Sequence, residues 1–230
     1  MSATPSMPRL HLLSGWAFPA TALKPLARAL DPMLAVTTSD ATPLGAHISS
    51  RQVLGGWSLG GLLALAAVAA GARPRALVLI SSTARFCRTA AYSSGVPPSR
   101  LRALARNLAQ DPDAALRDFF AQCAHPHAEP VEPARLQLAA ARRLAPYTLK
   151  EGLRSLAELD LRPALANLPV PVLLLHGAND AVIPAAAARW LQERAPTSQL
   201  ILHPGAGHDL PLRHPAWCAA RILHFMETCA

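Results

Sequence analysis

The chain has 230 residues, 51% of them hydrophobic and 16% charged, and a formal net charge of +8 at pH 7. That length supports one well-buried domain or one domain carrying a small insertion, and so much apolar content excludes a disordered chain. Arginine supplies 20 of the 22 basic residues, within a general bias toward Arg, Ala and Pro; no basic run interleaved with aromatics marks a nucleic-acid surface.

Arg9–Leu13 reads as a short apolar strand ending in Ser14-Gly15-Trp16. Residues 21–30 carry Leu23, Leu26, Ala27 and Leu30 at helical spacing, and 33–37 read as a second strand. Segment 42–50 is too short and polar for a full helix. Residues 53–72 run twenty positions without a charge, the length of a membrane span. Gly55, Gly56, Ser58, Gly60 and Gly61 crowd its first half, which fits a strand over 52–55, a tight turn and a buried helix over 59–70 instead. Ala76–Ile80 is continuously apolar, as in a parallel sheet. Strands alternating with helices predict an α/β fold with right-handed crossovers.

The pattern then changes. Between Thr83 and Asp160 no buried strand is legible, and four amphipathic helices are predicted over 100–108, 112–123, 133–144 and 149–159. Strands at 170–176 and 199–202 resume the α/β pattern around a helix at 185–195, and Pro215–Thr228 closes with a helix. A core of residues 1–83 and 160–230, interrupted by a helical insertion over 84–159, is therefore expected. Four scattered cysteines, Cys87, Cys123, Cys218 and Cys229, contain no Cys-x-x-Cys pair and suit free thiols in a reducing cytoplasm. Residues 1–13 lack the pattern of a secretory signal.

Gly56-Trp57-Ser58-Leu59-Gly60 is a Gly-x-Ser-x-Gly motif set between a strand and a helix, the context of a nucleophile elbow. A tight turn with a capping serine is the structural alternative. In this context Ser58 sits at a helix N-terminus, where backbone N–H groups and the helix dipole favour developing negative charge. A serine hydroxyl needs a base, and in such folds the chain order is serine, acid, histidine. Of nine histidines, His208 follows the last strand directly, in a loop of small residues, Gly205-Ala206-Gly207. His203, His214 and His224 lack that setting. His125 and His127 lack a third partner for a metal and are read as structural, so no metal is expected. Asp180 follows a strand with room for one helix and one strand before His208; Asp160 is the competing acid, and Asp209 lies too close to His208 along the chain to reach its ring. The oxyanion hole needs two N–H groups: Leu59 supplies one, and the loop after the first strand, at Trp16, is expected to supply the other, with a pocket wall or a core residue the alternative readings of Trp16.

Ser14-Gly15-Trp16, Gly55-Gly56-Trp57-Ser58-Leu59-Gly60-Gly61, His176-Gly177-x-x-Asp180 and Gly207-His208 resemble the α/β-hydrolase superfamily over nearly the whole chain. Within it, Gly56 to Gly61, the stretch from Gly152-Leu153 through Leu159-Asp160-Leu161-Arg162 to Leu165, and the residues from Pro171 onward are similar to the pimeloyl-(acyl-carrier protein) methyl ester esterases of biotin synthesis. The resemblance implies the α/β-hydrolase fold with a mostly parallel sheet, flanking helices and an inserted helical cap. It further implies a triad of Ser58, Asp180 and His208 and oxyanion donors Trp16 and Leu59; serine hydrolysis itself requires no cofactor. Phe119, Phe120, Ala121, Gln122 and Cys123 would touch the acyl chain, together with Trp16, Ser58, Leu59 and His208. Cap arginines would hold an acidic acyl-carrier protein, and Arg117, Arg135, Arg142 and Arg143 are the candidates. Against the family pattern, the usual first two strands are missing and the segment between Thr37 and Gln52 is short for the usual helix. A broad short-acyl carboxylesterase or thioesterase with the same triad is the alternative enzyme, and a binding module that kept the fold the non-enzymatic one.

Overall fold

The computed structural model describes residues 7–31, 33–44 and 48–228. Six strands form one parallel sheet: β1 (Arg9–Leu13), β2 (Ala35–Ser39), β3 (Gln52–Trp57), β4 (Ala76–Ile80), β5 (Val172–Gly177) and β6 (Ser198–His203). Their order across the sheet is β2-β1-β3-β4-β5-β6. From β1 the chain moves one way to β2, then crosses back over β1 and proceeds steadily the other way. The carboxyl ends of β1 and β3 therefore flank the point where the winding reverses, which is where open α/β sheets form their crevice.

The core helices are α1 (Lys24–Leu30), α2 (Leu59–Ala69), α7 (Ala185–Gln192), α8 (Leu210–Arg213) and α9 (Pro215–Thr228). Right-handed crossovers that run in opposite directions place α1 on one face and α2 and α7 on the other; α9 packs on α1 and shares its face. β4 and β5 are buried at every position and β3 at all but its first, because both faces are covered. Four helices lie between β4 and β5 in the chain: α3 (Pro98–Gln110), α4 (Pro112–Ala124), α5 (Ala134–Ala141) and α6 (Pro146–Glu158).

Several boundaries differ from the sequence pattern for local reasons. The second strand starts at Ala35 rather than Met33, because the amides of Met33 and Leu34 still bond back to the carbonyl of Leu30. The helix expected over 21–30 divides into a 3-10 turn, Ala20–Leu23, and α1, with Pro25 in its first turn, where the missing N–H is harmless. The third inserted helix ends at Ala141, and the next begins at Pro146 for the same reason. Asp111 caps α4, its side chain accepting the amide of Ala114 at 3.0 Å. Among the described residues of 40–51 there is no helix, and Cys229 lies outside the described residues. Among the described residues no helix is long and apolar enough to cross a membrane, and the run 53–72 is divided between β3, a turn and α2.

Candidate active site

The site is built at the carboxyl ends of β1, β3, β5 and β6. Ser58 leaves β3 with φ 56°, a left-handed conformation unusual for a residue with a Cβ, and caps α2. Its own amide is anchored on the carbonyl of Ile80 at 2.8 Å, and its carbonyl accepts the hydroxyl of Ser82 at 2.8 Å. Strand and helix approach so closely here that a Cβ on Gly56 would strike the backbone of Gly60, and one on Gly60 would strike the carbonyl of Ser14. Only glycine fits at either place, which is why this turn needs both.

Loops after β5 and β6 bring in the other two groups. His208 Nε2 lies 2.9 Å from Ser58 Oγ, and His208 Nδ1 lies 2.8 Å from Asp180 Oδ2. Ser58 is 6% exposed, Asp180 7% and His208 0%. The other carboxylate oxygen, Oδ1, accepts the amides of Val182 at 2.9 Å and Ile183 at 2.8 Å, which fixes the plane of the carboxylate. Such a chain can draw a proton from the serine hydroxyl onto Nε2 and stabilise the imidazolium that results. The rival acids are engaged elsewhere. Asp160 accepts Arg85 at 2.6 Å and both Nε and Nη2 of Arg162; these arginines hold its carboxyl well below the usual range, at about 2. Asp209 pairs with Arg213 at 3.0 Å.

Trp16 follows β1, and the next residue, Ala17, has φ 63°. The amides of Trp16 and Leu59 have no acceptor among the described residues, so both remain available to an oxyanion. The Trp16 indole N–H donates to the carbonyl of Leu149 on α6 at 2.9 Å, and its ring meets Phe119 edge-on at 4.8 Å. A cavity of about 280 Å³ opens on Ser58, walled by Trp16, Phe119 and Gln122 and by Arg100, Leu101 and Leu104 of α3. Phe119 and Gln122 thus line the space in front of Ser58. Phe120 packs on Phe18 at 5.0 Å, Cys123 is buried with its carbonyl on the amide of Asp209, and Ala121 faces solvent; these three do not line that cavity. Burial pushes the Cys123 thiol well above its ordinary value, which leaves it unreactive.

Arg117 of α4 and Arg135 of α5 are exposed, as are Arg142 and Arg143 just after α5. Arg142 ends α5 and is taken up by Asp113 of α4. His125 lies 3.3 Å from the carbonyl of Asn179; His127, His203 and His214 gather beside Trp217, away from Ser58.

Three contributions escape a reading of the sequence. The indole N–H of Trp57 donates to the carbonyl of His208 at 2.8 Å, holding the histidine loop from beneath. His176, at the end of β5, lies against Asp180. The α3 wall of the cavity is supplied by a helix whose amphipathic pattern says only that one face is covered. The first two had a faint signal, since both residues stand inside the motifs that carry Ser58 and Asp180, but no spacing rule gives them a task.

A model of the alpha/beta hydrolase family matches residues 8–221. The chain is 33% identical to a pimeloyl-(acyl-carrier protein) methyl ester esterase of Xanthomonas campestris pv. campestris, over 95% of each chain. It is 36% identical to the protein of the same name from Nitrosomonas europaea, over 74% of this chain and 69% of that one. Among solved structures it is similar in fold to an esterase from Exiguobacterium antarcticum, with a TM-score of 0.82 at 19% identity over 95% of this chain and 91% of that one. A bromoperoxidase from Bacillus anthracis gives 0.84 at 18% identity over 96% and 92%. The chain belongs to the alpha/beta hydrolase family, as an enzyme of the carboxylic-ester hydrolase class.

Proposed function

We propose that the chain is a serine esterase acting through Ser58, His208 and Asp180, and that its substrate is the methyl ester of a pimeloyl group carried on an acyl-carrier protein. The observation that carries the catalytic part is the buried chain Ser58 Oγ, His208 Nε2, His208 Nδ1, Asp180 Oδ2, closed by contacts of 2.9 and 2.8 Å, with a cavity opening on the serine. Ser58 Oγ attacks the ester carbonyl while His208 takes its proton. The carbonyl oxygen becomes an anion held by the amides of Trp16 and Leu59. Collapse of the adduct expels methanol, which receives the proton from His208 and leaves an acyl-serine. Water then attacks the acyl-serine with His208 again as base, and the carboxylic acid departs from a regenerated Ser58. Every proton and electron pair is accounted for without a cofactor.

Support for the carrier-bound substrate comes from the esterases to which the chain is similar along its length, and from the exposed arginines of α4 and α5. In this reading residues 84–159 form a cap, with the acyl chain passing Phe119 and Gln122. A substitution of Ser58 to Ala tests the proposal. Turnover of the carrier-linked methyl ester and of a small aryl ester should both fall by about 10³-fold or more, and fluorophosphonate labelling should vanish while the circular dichroism spectrum stays unchanged. Wild-type activity in that variant would refute it. Equal efficiency of the wild type toward free short esters and the carrier-linked ester would replace the carrier substrate with a broad carboxylesterase.

A further inference from the structure

We infer that His176 is a positioning residue for the acid of the triad: its Nε2–H, directed at the carbonyl of Ile183 and the edge of the Asp180 carboxylate, holds Asp180 in the orientation that His208 needs. The inference rests on the catalytic reading of Asp180 and His208 given above and extends it to a residue outside the triad.

His176 is the penultimate residue of β5 and is 1% exposed. Its Nε2 stands 2.9 Å from the carbonyl oxygen of Ile183 and 3.3 Å from Asp180 Oδ2. Both neighbours can only accept, so Nε2 must carry the hydrogen, and the tautomer is settled by chemistry. The peptide of Ile183 is thereby held from two sides. Its N–H donates to Asp180 Oδ1 at 2.8 Å and its C=O accepts from His176. The chain from Asp180 to Ile183 is thus a closed loop of bonds, with the carboxylate at one end and the imidazole at the other. Asp180 Oδ2 faces two imidazoles, His208 Nδ1 at 2.8 Å and His176 Nε2 at 3.3 Å.

The geometry explains why a histidine stands there and not an aliphatic residue, although the site is fully buried. A buried N–H must find an acceptor, and an acceptor carbonyl in a turn must find a donor; each serves the other. Burial pushes the imidazole of His176 below its ordinary value, against the smaller opposing influence of Asp180. Through that N–H, His176 acts on Asp180 by a dipole and by geometry. The ionisable groups that face it are Asp180 from the loop after β5 and His208 from the loop after β6. Asp180 also acts on the buried thiol of Cys123 from α4, which burial pushes well above its ordinary value.

The test compares His176→Phe, which fills the space without a donor, with His176→Gln, which can place an amide N–H near the former Nε2. With a small neutral ester, His176→Phe should lower kcat by about tenfold at unchanged KM, a fraction of the 10²–10⁴ that a general base contributes. The acid limb of its pH–rate profile should move to lower pH, because a misaligned carboxylate no longer supports the charged form of His208. His176→Gln should recover most of kcat and return the limb toward the wild-type position. Fluorophosphonate titration counts the folded sites in each preparation, so a loss through unfolding is divided out. Equal losses in both variants with an unmoved acid limb would overturn the inference and leave His176 a packing residue; so would wild-type kcat in His176→Phe. In either case wild-type turnover and its dependence on Ser58 would survive, which separates this failure from failure of the catalytic reading. A wild type without esterase activity would overturn both.

Discussion

At the scale of single residues, two aspartates show how surroundings decide a role. Asp180 sits beside an imidazole and receives two backbone amides, while Asp160 is clasped by Arg85 and Arg162. Replacement of Asp180 by Asn should lower kcat/KM by about 10³–10⁴-fold, since the amide favours the wrong imidazole tautomer. Replacement of Asp160 by Asn should leave kcat near wild type and lower stability by roughly 1–3 kcal/mol, the usual consequence of removing a hydrogen-bonded charge from partly buried partners. Urea unfolding and ester kinetics on both variants measure this. The Asp160 carboxyl is depressed to about 2 from 3.8. A depressed acid contributes stability above its unfolded value and loses it as pH falls through the folded one. Wild-type protein should therefore lose stability between about pH 4 and 2 more steeply than Asp160→Asn.

At the scale of elements, the clasp at Asp160 has a second meaning. Arg85 lies just after β4 and Asp160 just after α6, and the two are also paired as an isolated antiparallel bridge. The two ends of the segment that carries α3 to α6 are thus tied together. The sequence pattern places Arg135, Arg142 and Arg143 on one helix face, but α5 stops at Ala141 and Asp113 neutralises Arg142. The arginines left for an acidic partner are Arg117, Arg135 and Arg143. Reversal of Arg135 and Arg143 to Glu should weaken turnover of a carrier-linked ester, with a loss that shrinks as salt rises, because attraction between exposed charges is screened. Hydrolysis of a small ester should be unchanged. Reversal of Arg142 alone should instead lower the melting temperature, since it sets two carboxylates against each other across α4 and α5.

At the scale of the whole molecule, the sheet is unevenly protected. β3, β4 and β5 are enclosed by helices on both faces, whereas every residue of edge strand β2 is partly or fully exposed. Native-state hydrogen exchange should be slowest in β3 to β5 and faster in β2, with the helices of the insertion opening independently of the central strands. Uniform protection across all six strands would contradict that picture. The same arrangement places Ser58 and the turn at Asp180 directly after strands buried on both faces, which suits groups that must be held to a fraction of an ångström.

Much of this was legible along the chain because it depends on neighbours in sequence. A glycine-flanked serine between an apolar strand and an apolar helix admits few backbone paths, and an uninterrupted apolar strand such as Ala76–Ile80 must lie inside a parallel sheet. The order of serine, acid and histidine followed from the order of the strands. Boundaries at Met33 and Leu144 were not legible, since the chain's last turns depend on single hydrogen bonds that periodicity does not register. Pairings over long separations belonged to the tertiary structure alone. Arg85 finds Asp160 across 75 residues, Trp57 finds His208 across 151, and Arg142 finds Asp113 across 29. Composition makes such partners available, but only packing brings one donor to one acceptor, because a buried polar group is stable wherever some partner is within reach and the sequence offers many. For that reason the sequence by itself determined the fold and named the candidate residues of the site. The tertiary structure decided which acid meets His208, which residues wall the cavity and what His176 does beside Asp180.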